Sequence, residues 1–500
     1  FFISANIKVS FLFVTLSHFQ IDAATGAKET RRSVLSRSIT LARCLRAMGL
    51  EPGDVLALGG DNHLDLLIPY YAALMNGYPI NGIDPFFKFD EIIQLFKQVE
   101  PKVAFCQQSS YQDYRKAVEE LGLDTRIVTF DGDGNTIAEL IKKNDSTLTS
   151  RIADFDLDKV YAWLVCTSGS TGHPKVAAIK HQPILKLVGY YFMRASKTLQ
   201  PALNLSAVQW ISAFFKAICM PAMNQITVQT SAPATPEHVI DIINEYRVIQ
   251  VLFTTPSILY RILHHETPCD LSCFYNIFIA GACAVLRPDA EAIEGYGQTE
   301  TLGPVLRPAP DGPLGNCGLE SPLAEIKLVD PVTGEIVTEP NVPGELWSRG
   351  FLKFTYYNNP AETANALTPD GWYKTGDLLK KDENGYFFFV ERLKMLIKFR
   401  SYHVVPLELE ELILTHDGVQ EVCVTSIANP ADGEWPVAVV VRKPGSAVTA
   451  KEIKDLVAKK LSEHKQLRGG VVFVDELPMT STFKIARTKV KKLVESAQLE

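Results

Sequence analysis

An apolar run that breaks into a turn of glycines and hydroxyls, then resumes, is the tightest local constraint on this chain. Val160-Tyr-Ala-Trp-Leu-Val-Cys166 is apolar and β-favouring and predicts a buried strand. The ten residues Cys166-Thr-Ser-Gly-Ser-Thr-Gly-His-Pro-Lys175 make a loop, and Val176–Ile179 predicts a second strand. Gly169 and Gly172 lack a Cβ, so the backbone there can turn its amides toward an anion without strain. Thr167, Ser168, Ser170 and Thr171 add hydroxyl donors. Lys175 brings positive charge to the end of the loop, where negative charge would collect on a leaving pyrophosphate. Taken alone, a Gly/Ser/Thr hexamer is as readily a solvated turn. The Pro-Lys ending favours a cradle for the phosphates of ATP. It is not a Walker A loop, because Pro174 precedes Lys175 and a strand follows instead of a helix.

At 500 residues and 46% hydrophobic the chain can bury more than one core, since single cores stop growing near ~250–300 residues. A net charge of −7 gives no electrostatic case for a nucleic-acid partner. The basic stretch Lys484 to Lys492 reads as a solvated helix face. Nine cysteines suit a reducing interior better than a disulfide framework. His264, His265, Cys269 and Cys273 have metal-like spacing but no C-x-x-C, and are not read as a zinc site. Residues 1–20 match no later pattern and are read as a fragment start of mistranslated non-coding sequence. Their apolar part, Val9–Leu16, is too short and too polar in its flanks to cross a bilayer, which takes about 20 apolar residues. No integral membrane segment is expected.

Alternating patterns organise the rest. Arg31 to Ala47 has helical spacing, ended by Gly49-Leu-Glu-Pro-Gly-Asp54 before a strand Val55–Leu58. Tyr70 to Met75 predicts an apolar helix closed by Gly77, and Val251–Thr255 a buried strand. This alternation predicts a doubly wound α/β body. Pro and Gly thicken between Pro308 and Pro322, and Ala324–Leu328 and Gly344–Ser348 read as strands of a β-rich subdomain. Lys394 to Glu500 reads as a small α+β unit: helix Glu408–Leu414, strands Glu421–Ser426 and Val437–Val441, helix Lys451–Leu461, strand Val471–Val474 and a final helix.

Four further segments carry chemistry. Gly295-Tyr-Gly-Gln-Thr-Glu-Thr301 sets a ring, a hydroxyl and a carboxylate on one turn, suited to stacking on adenine, bonding a phosphate and ligating Mg²⁺. Trp372-Tyr-Lys-Thr-Gly-Asp377 offers a carboxylate after a glycine turn, a good acceptor for two ribose hydroxyls. Glu391 to Lys398 sits at the edge of the small unit, and Leu477-Pro-Met-Thr-Ser-Thr-Phe-Lys484 ends on a lysine. Singly these are a core tyrosine, a capping aspartate or a surface lysine. Their order along one chain argues against coincidence.

With these segments in view, the chain resembles the AMP-forming acyl-adenylate family of acyl-CoA synthetases, 4-coumarate–CoA ligases and beetle luciferases, most of all insect luciferase-like acyl-CoA ligases. The likeness runs from about Ile21 to the end and rests on Thr167–Lys175, Gly295–Thr301, Tyr373–Asp377 and Arg392–Pro406. It implies an α/β fold: an adenylation domain at 21–393, of stacked αβαβα sheets plus a distorted β-barrel, and a mobile α+β lid at 394–500. It also implies an ATP- and Mg²⁺-dependent ligase that activates a carboxylic acid, a fatty acid by this likeness, and passes it to coenzyme A. The enzyme would work as an intracellular monomer, peroxisomal or cytoplasmic, although the chain ends Ala-Gln-Leu-Glu and not Ser-Lys-Leu.

Carried over by resemblance, Thr167, Ser168, Gly169, Ser170, Thr171, Gly172 and Lys175 would hold the β- and γ-phosphates. Gly281 and Ala282 would line the adenine and acyl pocket. Within Gly295, Tyr296 and Gly297 the ring would stack on adenine, Thr299 would touch the α-phosphate, and Glu300 would bind Mg²⁺. Asp377 and Arg392 would hold the ribose, Lys394 would be the hinge, and Lys398 would lie on the opposite lid face. Lys484 would bridge the substrate carboxylate and the α-phosphate as the two anions approach.

The chain departs from the family pattern at Phe483, Ser401, Val176 and Ala280, where glycines are usual, and at Glu391 in place of Asp. The interval Gly281–Gly295 is also shorter by roughly ten residues, most of one ~12-residue helix. Phe483 and that interval motivate an alternative, a catalytically degenerate paralogue that binds nucleotide and acyl group. Gln209-Trp-Ile-Ser212 stands where many members carry a histidine beside the acyl pocket, which argues against light emission.

Overall fold

The computed structural model describes residues 18–500 except 86, 144–152, 168–174, 194, 197, 255–260, 263, 274–275, 280–291, 295, 308, 310, 351–353, 401, 480–484 and 497–500. The chain divides into two compact units. The first runs to Asp311 and adds Glu320–Glu325 and Arg349–Trp372; the second comprises Gly312–Leu319, Ile326–Ser348 and Tyr373–Glu500.

Two seven-stranded sheets build the first unit. One runs in the order Ala292–Glu294, Asn276–Ile279, Gln250–Thr254, Gln200–Asn204, Gln225–Gln229, His18–Asp22, Lys28–Thr30. Its pairs are parallel except the last. The strand His18–Asp22 begins inside the stretch that patterning set apart, and Phe19 and Gln20 are wholly buried. Too few residues alternate there to show a period, so only tertiary pairing reveals the strand. The other sheet runs Phe354–Tyr356, Lys175–Lys180, Tyr161–Thr167, Ile80–Ile83, Leu56–Gly59, Val103–Cys106, Arg126–Thr129, and is antiparallel only at its first two pairs.

Helices pack between and around the sheets because parallel strands need crossovers. Helix Arg31–Ala47 starts where the Thr30 hydroxyl accepts from Ser33 N, and helix Leu67–Asn76 stops at Gly77, whose φ of 71° suits a residue without Cβ. Leu67–Asn76 and Ile211–Ala222 are buried along most of their length. They lie in the interior layer: Trp163 of one sheet packs on Phe214, while Thr227 of the other meets Met220.

The second unit has an antiparallel layer in which Tyr373–Lys381 pairs with Phe387–Arg392 on one side and with the strand from Gly344 on the other. Its remainder is α+β. The long strands Val419–Asn429 and Gly433–Arg442 pair along their length, flanked by Ile397–Phe399 with Tyr402–Val404 and by Val471–Val474. Helices Pro406–Leu414, Ala450–Lys460 and Arg487–Ser496 cover the sheet. Ala438 and Val440 face one core while Val437, Val439 and Val441 face another, the period-2 alternation of a strand buried on both sides. Among the described residues no helix is long and apolar enough to cross a membrane.

Candidate functional site

Thr167 and Lys175 face each other in antiparallel register and close the root of the glycine-hydroxyl loop. The Thr167 hydroxyl donates to the Lys175 carbonyl at 3.3 Å. Beneath it, burial pushes the Cys166 thiol up to about 11, so it remains protonated beside the Asn81 amide at neutral pH. Val176, where a glycine is usual, is fully buried in the strand that leaves the loop. Its side chain fills core space.

The side chain of Lys175 forms an ion pair with Glu362. Both are partly exposed, so the pair contributes about 0.2–1 kcal/mol. The same ammonium stands 5.2 Å from the centroid of the Tyr356 ring. Tyr356, 8% exposed, lies on the edge strand Phe354–Tyr356 opposite Ala177, and its hydroxyl donates to Glu300 Oε1 at 2.9 Å. Glu362, Lys175, Tyr356 and Glu300 are therefore linked in series, from the end of the glycine-hydroxyl loop to the acidic turn. Glu362 is held in the first turn of helix Pro360–Ala366, where Asn359 caps its amide and the helix end favours a negative charge.

The acidic turn sits between the short strands Gly297–Gln298 and Gly303–Pro304. Thr299, Glu300 and Thr301 form a single 3₁₀ turn, fixed by a 2.9 Å bond from Gln298 N to the Thr301 hydroxyl and closed by Leu302 at φ 54°. Tyr296 is 8% exposed, and its hydroxyl accepts from Gln298 Nε2 at 3.3 Å.

In the second unit, Asp377 and Arg392 are cross-strand partners, with Arg392 Nε 3.3 Å from Asp377 Oδ1. Asp377 is buried and Arg392 is largely exposed. Gly376 lies inside the strand Tyr373–Lys381 and not in the turn its sequence suggests: it takes φ 70° where the register against Glu345–Trp347 shifts, and its amide donates to Glu345 Oε1 at 2.9 Å. Glu345 in turn accepts from the Trp347 indole, and the Thr375 hydroxyl donates to the Leu346 carbonyl at 2.6 Å. Glu391 is buried, burial raises its carboxyl, and its Oε1 accepts from Arg392 N at 2.8 Å. Lys394 and Lys398 are both exposed, and the Lys398 amide donates to Glu434 at 2.9 Å.

The structure thus brings together Thr167 and Lys175, then Tyr296, Gly297, Thr299 and Glu300, and separately Asp377 with Arg392. Ser168, Gly169, Ser170, Thr171, Gly172, Gly281, Ala282, Gly295 and Lys484 lie outside the described residues, as do Ala280, Ser401 and Phe483. Sequence reasoning missed Glu362, Tyr356 and Glu345. Asn359-Pro-Ala-Glu362 is a helix-start signature that marks the helix but not the lysine its acid meets. Nothing local marks the other two.

A sequence profile described as AMP-binding enzyme matches residues 17–357. The chain belongs to the AMP-binding enzyme family. A second profile, the C-terminal domain of the AMP-binding enzymes, matches residues 408–484. Over 95% of its length this AMP-binding enzyme is 30% identical to "4-coumarate--CoA ligase-like 4" of Oryza sativa subsp. japonica, covering 90% of that protein. It is 28% identical to the luciferin 4-monooxygenase of Photinus pyralis, over 95% of this chain and 91% of the other. Its fold matches that of ATP-bound MatB from Rhodopseudomonas palustris with a TM-score of 0.87 at 22% identity, over 98% of this chain and 99% of that one. The AMP-binding enzyme is an adenylating one: it activates an acid with ATP by way of an acyl-adenylate.

Proposed function

We propose that this AMP-binding enzyme is an ATP- and Mg²⁺-dependent acid–CoA ligase, with a fatty acid as its acid and coenzyme A as its acceptor. The observation that carries the reading is the path Glu362, Lys175, Tyr356, Glu300, which couples the phosphate loop to the acidic turn. A carboxylate is a poor acylating agent until it is joined to AMP, and both ends of that path suit the task. Lys175 and the loop from Thr167 would hold the leaving pyrophosphate, and Thr299 would bond the α-phosphate. Glu300 offers Mg²⁺ a hard oxygen ligand already oriented by Tyr356, and the bound ion would offset phosphate charge. Tyr296 would stack on adenine while Asp377 and Arg392 take the ribose.

Lys484 would draw the acid carboxylate to the α-phosphate. Once pyrophosphate has left, the thiol of coenzyme A would displace AMP, with Lys398 serving that second step on the other face of a lid at 394–500 that turns about Lys394. Several relatives are named as CoA ligases or CoA ligase-like proteins, which supports the acceptor. A monomer in the cytoplasm or peroxisome, nearest in kind to insect luciferase-like ligases, completes the proposal.

The test is release of AMP and pyrophosphate when ATP, Mg²⁺, CoA and a panel of medium- and long-chain acids are supplied. Turnover that needs both acid and CoA is the expected result. Silence across the panel, with nucleotide binding intact by calorimetry, overturns the ligase reading in favour of a binding paralogue.

A further inference from the structure

A cavity with about 30 Å³ of free space lies in the interior layer of the first unit. Leu58, Leu66, Leu67, Tyr70 and Phe214 give it apolar walls, and Lys216, Asn204, Thr227 and Gln229 also line it. Lys216 is 2% exposed, and its Nζ donates to Asn204 Oδ1 at 2.8 Å and to the Ser206 hydroxyl at 3.3 Å. Gln229 is equally buried, and its Nε2 has no hydrogen-bond partner. Burying a spare amide donor costs free energy unless an acceptor meets it. Burial also holds Lys216 well below the ordinary lysine range, a penalty that an anionic neighbour removes.

The position of the cavity ties it to the adenylating chemistry. Asn204 and Gln229 are the last residues of their parallel strands, and Leu58 is next to last in Leu56–Gly59. Ligands of open α/β sheets bind at such carboxyl ends. The strand Tyr161–Thr167 runs parallel to Ile80–Ile83, which runs parallel to Leu56–Gly59, so the phosphate loop leaves the same edge. Leu58 is two strand spacings, roughly 10 Å, from the strand that carries the loop. The segment before helix Ile211–Ala222 is pressed onto the intervening strand. A Cβ at Gly82 would stand 2.4 Å from the Val208 carbonyl and 2.8 Å from Gln209 Cα.

We propose that this cavity is the far end of the acyl site and takes a second carboxylate, so that the preferred acids are α,ω-dicarboxylic acids, fatty acids oxidised at the distal carbon. The inference rests on the ligase reading. Room for two or so water-sized groups suits the two oxygens of a carboxylate and excludes a longer alkyl tail. Lys216 would meet the charge and Gln229 would donate to the other oxygen, each a specificity residue outside the reacting atoms.

Matched acids of equal length test it: octanoate against suberate and decanoate against sebacate, with wild type, Lys216→Met and Gln229→Leu. Wild type is expected to favour the diacid by at least about tenfold in kcat/KM. Lys216→Met should reverse that order while ATP affinity stays unchanged, and Gln229→Leu should narrow it. A wild type that favours the monoacid, or a Lys216→Met that lowers both acids alike, overturns the proposal. If no acid is turned over, the ligase reading fails, and calorimetry decides the cavity separately. Suberate bound by wild type and lost in Gln229→Leu or Lys216→Met supports it; equal binding of suberate and octanoate overturns it. Gln229→Leu keeps the test open should Lys216→Met not fold.

Discussion

The hydroxyl of Tyr356 donates a 2.9 Å hydrogen bond to Glu300 Oε1, tying the edge strand of one sheet to the acidic turn. Tyr356→Phe removes that bond and keeps the ring under Lys175. Stability should fall by only about 1 kcal/mol in urea unfolding. If Glu300 binds Mg²⁺ as proposed, the functional effect should be larger, because outer partners of metal ligands typically matter by 10- to 100-fold. The Mg²⁺ concentration for half-maximal acid-dependent pyrophosphate exchange is expected to rise by about that factor. An unchanged Mg²⁺ curve would separate Glu300 from the metal.

If Lys175 holds the phosphates of ATP as proposed, Glu362 competes with them for its ammonium. Because the ion pair is partly exposed, Glu362→Gln should alter stability by less than about 1 kcal/mol. It should also free the ammonium and tighten ATP binding by up to about fivefold, whereas Lys175→Met should weaken it. Titration calorimetry of both variants reads the two signs. Weaker ATP binding in Glu362→Gln would mean that the acid positions the lysine and does not rival the ligand.

Much of this architecture was legible because its signals are local. Arg31–Ala47 and Val471–Val474 fall where their patterns place them, and the strands around the glycine-hydroxyl loop differ by a residue at their ends. Asp377 and Arg392 were legible as separate motifs, and the register of two strands then makes them neighbours. The hidden parts depend on distant pairing. Tyr356 reaches Glu300 from 56 positions away, and Lys175 finds Glu362 at a separation of 187. Lys216 had no local signal either, since a lysine within an apolar helix is visible in sequence but its cavity is assembled from both sheets.

His181 should make the first unit acid-sensitive. It is fully buried beside Phe155 with both ring nitrogens unbonded, and burial depresses it to about 3. The unfolded chain takes up a proton near pH 6.5 and the folded chain does not, so the unfolded state binds more protons across that window. Stability is therefore full above about pH 6.5 and is lost as pH falls toward 3, by on the order of a few kcal/mol. Half-buried His63, also lowered by desolvation, acts in the same direction. His181→Phe should flatten the loss, measured as urea midpoints from pH 7 to pH 4. An equal slope in the variant would assign the effect elsewhere.

Arg487 and Glu410 meet fork to fork, with Nη1 to Oε1 and Nη2 to Oε2 both at 2.8 Å. Glu410 Oε1 also accepts from Val424 N at 2.7 Å, and Arg487 Nη1 donates to the Val424 carbonyl at 3.2 Å. The pair thus pins helices Pro406–Leu414 and Arg487–Ser496 to strand Val419–Asn429. Burial by itself would lower Arg487, but the hydrogen bonds and charge of Glu410 outweigh it and hold the guanidinium charged. Glu410 is buried and Arg487 is about a quarter exposed, so removing Arg487 leaves a buried carboxylate unpaired at a cost of up to about 3–5 kcal/mol, whereas replacing both by apolar groups is often neutral. Arg487→Met should therefore expose the strands of this α+β region to hydrogen exchange and early unfolding, while Glu410→Leu with Arg487→Met should restore protection. The helix that Arg487 begins follows the segment ending at Lys484, so adenylate formation should fall in the single variant along with that protection. A single variant within about 1 kcal/mol of wild type would show that water reaches the pair and solvates the charge left behind.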